Sequence, residues 1–374
     1  PPATGWSEGL GPFTPVVRDG KLYGRGCSDD GYSVYAALTA IRALEDAGIP
    51  HPRAVGLIET REESGSNDLE HYLKKNAARF GSPRLVCVLD SGAGNYEQLW
   101  LTSSLRGACA IDLNVRVLRQ GMHSGTASGV VPSSFDVLRI LLDRIQDPRT
   151  GAILDPAFNV EIPSNRMDDM KKTAEVLGDG FISEFPWAEG PNGSVQSRCR
   201  GTEEALIARC WKPTLSVTGA AGLPPLSMAG NSLRSDTTLR LSFRLPPTAK
   251  TENILPALQK KLLTDPPFNA VVSIAGGDAL PGWNAPSEAD WFRSACDESS
   301  KALWGKPAMR IGEGGSIPIL NLFEAQFPRA QFAVTGVLGP GSNAHNADES
   351  LDLAYTEKFI AAVGYLAASI PEEA

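Results

Sequence analysis

Residues 54–66 read AVGLIETREESGS. A short apolar run, closed by charge and then by the turn formers Ser64, Gly65 and Ser66, predicts a buried strand over 54–59. Glu62 and Glu63 stand side by side just beyond it. Like charges at the end of a buried strand repel each other and resist dehydration. A bound cation relieves that repulsion, and so does plain exposure to water. Working outward, LVCVLD at 85–90 is a second such strand and ends on Asp90. A polar amphipathic helix is predicted near 67–79, between the two. Upstream, 32–47 places Val34, Ala37, Leu38, Ile41 and Leu44 on one helical face, stopped by Gly48. Apolar strands alternating with helices predict an α/β fold, a mostly parallel mixed sheet sandwiched by helices.

The pattern changes at LRGACAIDLNVRVLRQ, where Ile111, Leu113, Val115 and Val117 alternate with Asp112, Asn114 and Arg116. That is the period of a half-exposed antiparallel strand. It returns in TLRLSFRL with Leu239, Leu241, Phe243 and Leu245, and VVSIAG at 271–276 adds another strand. A helix over SFDVLRILLDRI and a Pro/Gly/Trp-rich stretch around 155–235 lie between. From Trp283 the first texture resumes, with helices near 287–304 and 352–369 around the strand QFAVTGVL. The expected organisation is a first part of one domain at 1–106, an inserted α+β module at 107–282, and the second part of the first domain at 283–374.

The chain has 374 residues, 42% hydrophobic and 21% charged, with a formal net charge of -8. It has no Lys/Arg block, which argues against nucleic acid and anionic membrane as partners. No apolar run reaches the ~18–20 residues of a membrane span. The six cysteines form no CxxC pair, which fits buried free thiols in a reducing, cytoplasmic compartment. The chain opens in mid-loop without Met, and a preceding segment is expected to lie outside it.

Four polar clusters follow strands or sit in Gly-rich loops: Asp29 and Asp30 in GRGCSDDG, Glu62 and Glu63 in TREESGS, Asp90 in VLDSG, and His345 in GPGSNAHNADE. In open α/β sheets, ligands bind beyond the carboxyl ends of strands. Singly, each acid has an ordinary reading as a helix cap or turn former. Together, carboxylates and imidazole form a hard O/N donor set suited to Zn²⁺, Mn²⁺ or Co²⁺. One glutamate of the pair can then bind metal while its neighbour takes a proton from water, whose pKa a metal lowers from 15.7 toward ~7.

GPFTPVVRDGKLYGRGCSDD, REESGS, MHSG, GEGGSIP and SNAHNADE stand in an order and spacing that resemble the carnosinase, carboxypeptidase G, aminoacylase and succinyl-diaminopimelate desuccinylase family of dinuclear metallohydrolases. The resemblance covers nearly the whole chain and is nearest the dipeptidase-like branch. It implies a zinc exopeptidase-like catalytic domain with an inserted lid and dimerisation domain. Two divalent ions are implied, Zn²⁺ first and Mn²⁺ or Co²⁺ as alternatives. Asp29 would bridge them across a cis bond to Asp30, Glu63 and His345 would complete one site, and Asp90 would serve the other. The family's His-x-Asp motif, which supplies the remaining ligand, does not occur in this chain.

The same resemblance makes Glu62 the general base and His123 the oxyanion donor, usually to the partner subunit's site. Arg244 resembles the binder of the substrate carboxylate, Asn231 a polar lid contact, and Glu313, Gly314, Gly315 and Ser316 a loop that approaches substrate. Taken without the resemblance, His123 is a surface turn residue and Arg244 a solvated strand position. The implied activity is hydrolysis of a dipeptide or short peptide amide bond by a metal-activated water, in a homodimer formed through the lid. Two alternatives are an N-acyl-amino-acid deacylase of the same fold and a non-catalytic binding relative. Three departures stand out: Gly31-Tyr32 replaces the family's Lys-Gly, Gly312 replaces its Arg before Glu313, and AGGDALPGW lacks the carnosinase lid His.

Overall fold

The computed structural model of the chain describes residues 4–66 and 68–372. Strands Leu85–Val88 and Gln331–Val334 pair in parallel, as do Trp100–Leu105 and Met309–Glu313, while Trp283–Asn284 joins Trp100–Leu105 antiparallel. Side chains along a strand alternate between faces. Ala333 accordingly joins a core with Trp100, Ile311, Phe292 and Phe359, whereas its neighbours Phe332 and Val334 join another with Leu69, Leu320 and Phe323. Apolar side chains therefore cover both faces. Helices Tyr32–Asp46, Asp290–Trp304 and Leu353–Ala368 pack together over the first core.

A second, four-stranded antiparallel sheet runs in the order Val271–Leu280, Gly107–Arg116, Asp236–Leu245, Thr214–Ala221. Ile111 stands opposite Leu241 and Leu113 opposite Leu239. All four are buried with Val137, Leu138 and Leu141 of helix Ser134–Asp143 and with Ile254, Leu258 and Leu262 of helix Ile254–Leu263. The polar positions between them face the other way, as the period-2 pattern requires.

A third, small sheet matters most for chemistry. Strands Val16–Arg18, Lys21–Tyr23 and Ser350–Asp352 pair antiparallel, with Tyr23 opposite Ser350. This pairing sets the loop carrying Asp29 beside the loop carrying His345.

Three expectations need correction. Residues 54–59 form no strand, and Val55, Leu57 and Ile58 are exposed. No strand among the described residues pairs with them. The helix of residues 32–46 buries Tyr32, Ala36, Ala40 and Leu44, leaving Leu38 exposed. Small residues set that face: Ala40 lies against Gly364, and the Tyr32 ring meets the edge of Phe359. The stretch around 155–235 holds helices Ser164–Leu177 and Thr202–Cys210, which the polar sequence hid. Their buried residues Met170, Leu206 and Cys210 join the first core with Trp100 and Ile311, not the core of the antiparallel sheet.

Phe243 is fully buried in the antiparallel-sheet core, its ring 5.3 Å from that of Phe158. Phe243→Ala is expected to lower unfolding free energy by about 3–5 kcal/mol, measured by urea denaturation. A loss under about 1 kcal/mol would show that this core is not close-packed.

Candidate active site

Asp29 lies in the loop after Lys21–Tyr23, and its bond to Asp30 is cis. Asp90 follows strand Leu85–Val88, and Glu62 opens a short 3₁₀ turn, Glu62–Ser64. His345 sits in the loop before Ser350–Asp352 with φ 62°, a left-handed conformation uncommon for a residue bearing a Cβ. These loops converge. His345 Nε2 is 2.8 Å from Asp29 Oδ2. Burial first, then the charges of Asp30, Asp29 and Glu62, then a hydrogen bond with Asp29, push the Asp90 carboxyl up to about 8. Four carboxyl groups from three separate segments thus share one electrostatic neighbourhood. The Glu63 side chain lies outside the described residues.

Gly31-Tyr32 is explained locally. A Cβ at Gly31 would stand 2.7 Å from the Gly26 carbonyl, which accepts the Gly31 N–H. Tyr32 is buried and donates its hydroxyl to the Leu89 carbonyl, one residue before Asp90.

Among the described residues, no three His, Cys, Asp or Glu side chains stand as a complete metal-binding group. The donor set nevertheless fits a divalent ion. It offers carboxylates and one imidazole, and the charges of Asp30, Asp29 and Glu62 add to burial in raising the Asp90 carboxyl.

A second group lies at the end of strand Met309–Glu313. Arg244 Nη1 donates to Ser316 Oγ at 3.3 Å, so strand Asp236–Leu245 reaches the glycine loop. Arg106, buried, donates to the Gly314 carbonyl at 3.2 Å. Burial brings the Arg106 guanidinium down to about 10, and the nearby cations Arg244 and Arg209 add to this. Glu313 Oε1 would be 2.8 Å from a Cβ on Gly92, which places this loop beside the segment that carries Asp90. Nothing lies within 4 Å of a Cβ built on Gly315.

The Gly312 departure has a local steric reason. A Cβ there would meet Ser104 Oγ at 2.7 Å and Cys210 Cβ at 2.8 Å. Glycine lets helix Thr202–Cys210 lie against the strand, and that helix supplies Arg209, whose Nη2 is 3.5 Å from Glu313 Oε2. Arg310 instead pairs with Glu288 and Asp297.

His123 and Asn231 form a third group. Strands Met122–His123 and Ser232–Leu233 pair, and the Asn231 carbonyl accepts the Ser124 N–H at 2.9 Å. The Gly125 N–H donates to His123 Nδ1 at 3.1 Å. An accepting Nδ1 leaves the ring proton of the neutral imidazole on Nε2, a donor. His123 is exposed, and among the described residues no hydrogen bond or ion pair joins it to the carboxylates. No sequence motif singles out Arg106 or Arg209. Arg106, directly before the alternating strand, was the one with a local signal.

The profile of Peptidase family M20/M25/M40 matches residues 1–370. The Cys-Gly metallodipeptidase dug1 of Schizosaccharomyces pombe is 27% identical over 361 residues, covering 93% of this chain and 72% of that protein. The cysteinylglycine-S-conjugate dipeptidase of Corynebacterium striatum is 26% identical over 343 residues, covering 90% and 71%. Among solved structures, the di-peptidase Dug1p from Saccharomyces cerevisiae superposes with TM-score 0.76 at 23% identity, covering 98% of this chain and 77% of that one. Human carnosine dipeptidase 1 gives 0.73 at 21% identity, with the same coverage. These likenesses establish the α/β fold.

The Asp90 shift sets a pH dependence. Its ordinary value is 3.8 and its folded value about 8, so the folded state holds the proton more tightly. The stabilisation is complete below the unfolded value and drains as pH rises through the folded one. In chelator-treated protein, the melting temperature is expected to fall between about pH 5 and about pH 8.5, and to fall less in Asp90→Asn. Parallel melting profiles for the two proteins would contradict the shift.

Proposed function

The chain belongs to Peptidase family M20/M25/M40, and from that premise we propose that it is a dipeptidase acting on substrates with a free C-terminal carboxylate. The observation that carries this reading is the convergence of Asp29, Asp30, Glu62 and Asp90, with His345 against Asp29. In the assignment supported by the resemblance, Asp29, Glu63, Asp90 and His345 would hold two divalent ions. Zn²⁺ is the first choice, with Mn²⁺ or Co²⁺ as alternatives. Such ions neutralise the carboxylates and make water acidic enough to serve as a nucleophile near neutral pH.

The Glu62 carboxylate accepts the proton of the attacking water and returns it to the leaving amine. Arg244 binds the substrate carboxylate beside Ser316, Gly314 and Gly315. Three guanidinium groups near one loop favour an anion there, because an anion relieves their mutual repulsion. The His123 Nε2–H donates to the oxyanion that forms at the scissile carbonyl. Asn231, joined to the same strand pair, orients the substrate main chain.

His123 would act on the partner's site in a homodimer formed through the antiparallel-sheet module, proposed as residues 107–282, with 1–106 and 283–374 forming the catalytic domain. Exposed Val130, Leu226 and Met228 support that dimer. All six cysteines are free thiols, which supports a reducing, cytoplasmic setting.

Glu62→Gln is expected to reduce kcat by about 10²–10⁴-fold with metal content unchanged, measured by turnover and metal analysis together. Normal turnover in metal-loaded Glu62→Gln refutes the assigned base. Dipeptides with free N-termini are expected to be hydrolysed faster than their N-acetyl counterparts. A preference for the acetylated compounds would reassign the protein as a deacylase.

A further inference from the structure

Glu349 is 1% exposed, yet it lies four residues beyond His345 in a polar loop. A buried carboxylate is tolerated only when its oxygens are well supplied with donors. Here Oε2 accepts the Gly26 N–H at 2.9 Å, while Oε1 accepts the Ser28 N–H at 3.1 Å, the Ser28 hydroxyl at 3.1 Å and the Asp29 N–H at 3.2 Å. The Glu349 carbonyl also accepts the Gly24 N–H at 3.2 Å. Every one of these donors belongs to the loop that carries Asp29.

We propose that Glu349 is a positioning residue for the metal ligands, a clamp that fixes Asp29 relative to His345 before any ion arrives. This rests on the metal reading of the site given above. One side chain spans two loops more than 300 residues apart in sequence, and each loop contributes one member of the 2.8 Å Asp29–His345 pair. The bonded amide at Asp29 is that residue's own, so slack in the clamp moves the Asp29 carboxylate directly. Both loops also contain left-handed residues, Gly26 at φ 72° and His345 at φ 62°. His345 does not favour that conformation without support. The Tyr23–Ser350 strand pairing aligns the loops coarsely, and Glu349 sets the final separation.

Glu349→Gln tests this because the new amide group turns N–H toward the Gly26 N–H, setting donor against donor. Zinc affinity is measured by chelator competition on the full-length protein, well below the melting temperature of each variant, with near-UV circular dichroism to confirm folding. Affinity is expected to fall about 10–100-fold, as it does when groups supporting metal ligands are removed. Saturating zinc is expected to restore turnover with KM unchanged. Phe243→Ala, destabilised far from these loops, is expected to keep wild-type affinity.

Wild-type zinc affinity in Glu349→Gln overturns the proposal, and so does an equal loss in Phe243→Ala. If Glu349→Gln fails to fold, Ser28→Ala carries the test. That variant removes one of the four donors, a smaller loss in the same direction is expected, and unchanged affinity overturns the proposal. A wild-type protein that binds no zinc, manganese or cobalt overturns the metal reading itself, and the clamp with it.

Discussion

Asp29, Asp30, Glu62 and Asp90 repel one another across a small, half-buried space, and much of the structure around them serves to hold that repulsion in place. Left alone, like charges in a low-dielectric setting either protonate or move apart. Here burial first, and then these neighbouring charges, raise the Asp90 carboxyl, while the loops are tethered. The small antiparallel sheet ties the Asp29 loop to the His345 loop, and the parallel pairing of Leu85–Val88 with Gln331–Val334 fixes the strand that delivers Asp90. Such a cluster gains most from a divalent ion, since neutralising it requires no rearrangement of the backbone.

Charge of the opposite sign is concentrated nearby. Arg106, Arg209 and Arg244 surround the glycine loop after strand Met309–Glu313, and Glu313 offsets only part of that charge. The acidic cluster and the basic loop meet through Gly92, which is packed against Glu313 two residues beyond Asp90. A substrate with a polarisable carbonyl and a terminal carboxylate matches this pair of charges. Peptide hydrolysis, the activity of the family, demands the same separation of roles: one region activates water and another anchors the chain end.

Legibility in sequence followed how local each feature is. The alternation in 107–116 and 236–245 was readable because its period is set by the strand's own geometry, and both segments are strands burying the expected side chains. The run at 54–59 misled because a strand needs a partner that no local pattern reveals. The Tyr32–Asp46 helix formed as expected, but Ala36, Ala40 and Gly364 turned its buried face by allowing close contact. Helices Ser164–Leu177 and Thr202–Cys210 were hard to read from hydrophobic periodicity because their buried faces carry polar residues, Arg166 and Thr173 in the first and Thr202 in the second. Among the candidate site residues, the loops carrying Asp29, Asp90 and His345 stood out as sequence motifs, and the fold brings them together. The Arg209–Glu313 pair did not, because its two residues stand 104 positions apart, and Glu349 read as one more loop acid because its donors lie in a distant segment.

Burial first, and the charges of Asp30, Asp29 and Glu62 after it, favour the protonated Asp90 carboxyl, and a divalent ion would release that proton. The Asp90 carboxyl carbon can be titrated by NMR in chelated and in zinc-loaded protein. A midpoint of about 8 is expected in the chelated state, with a carboxylate that stays ionised across neutral pH once zinc is bound. An ordinary aspartate midpoint without metal, or a titration that zinc leaves unchanged, would contradict this.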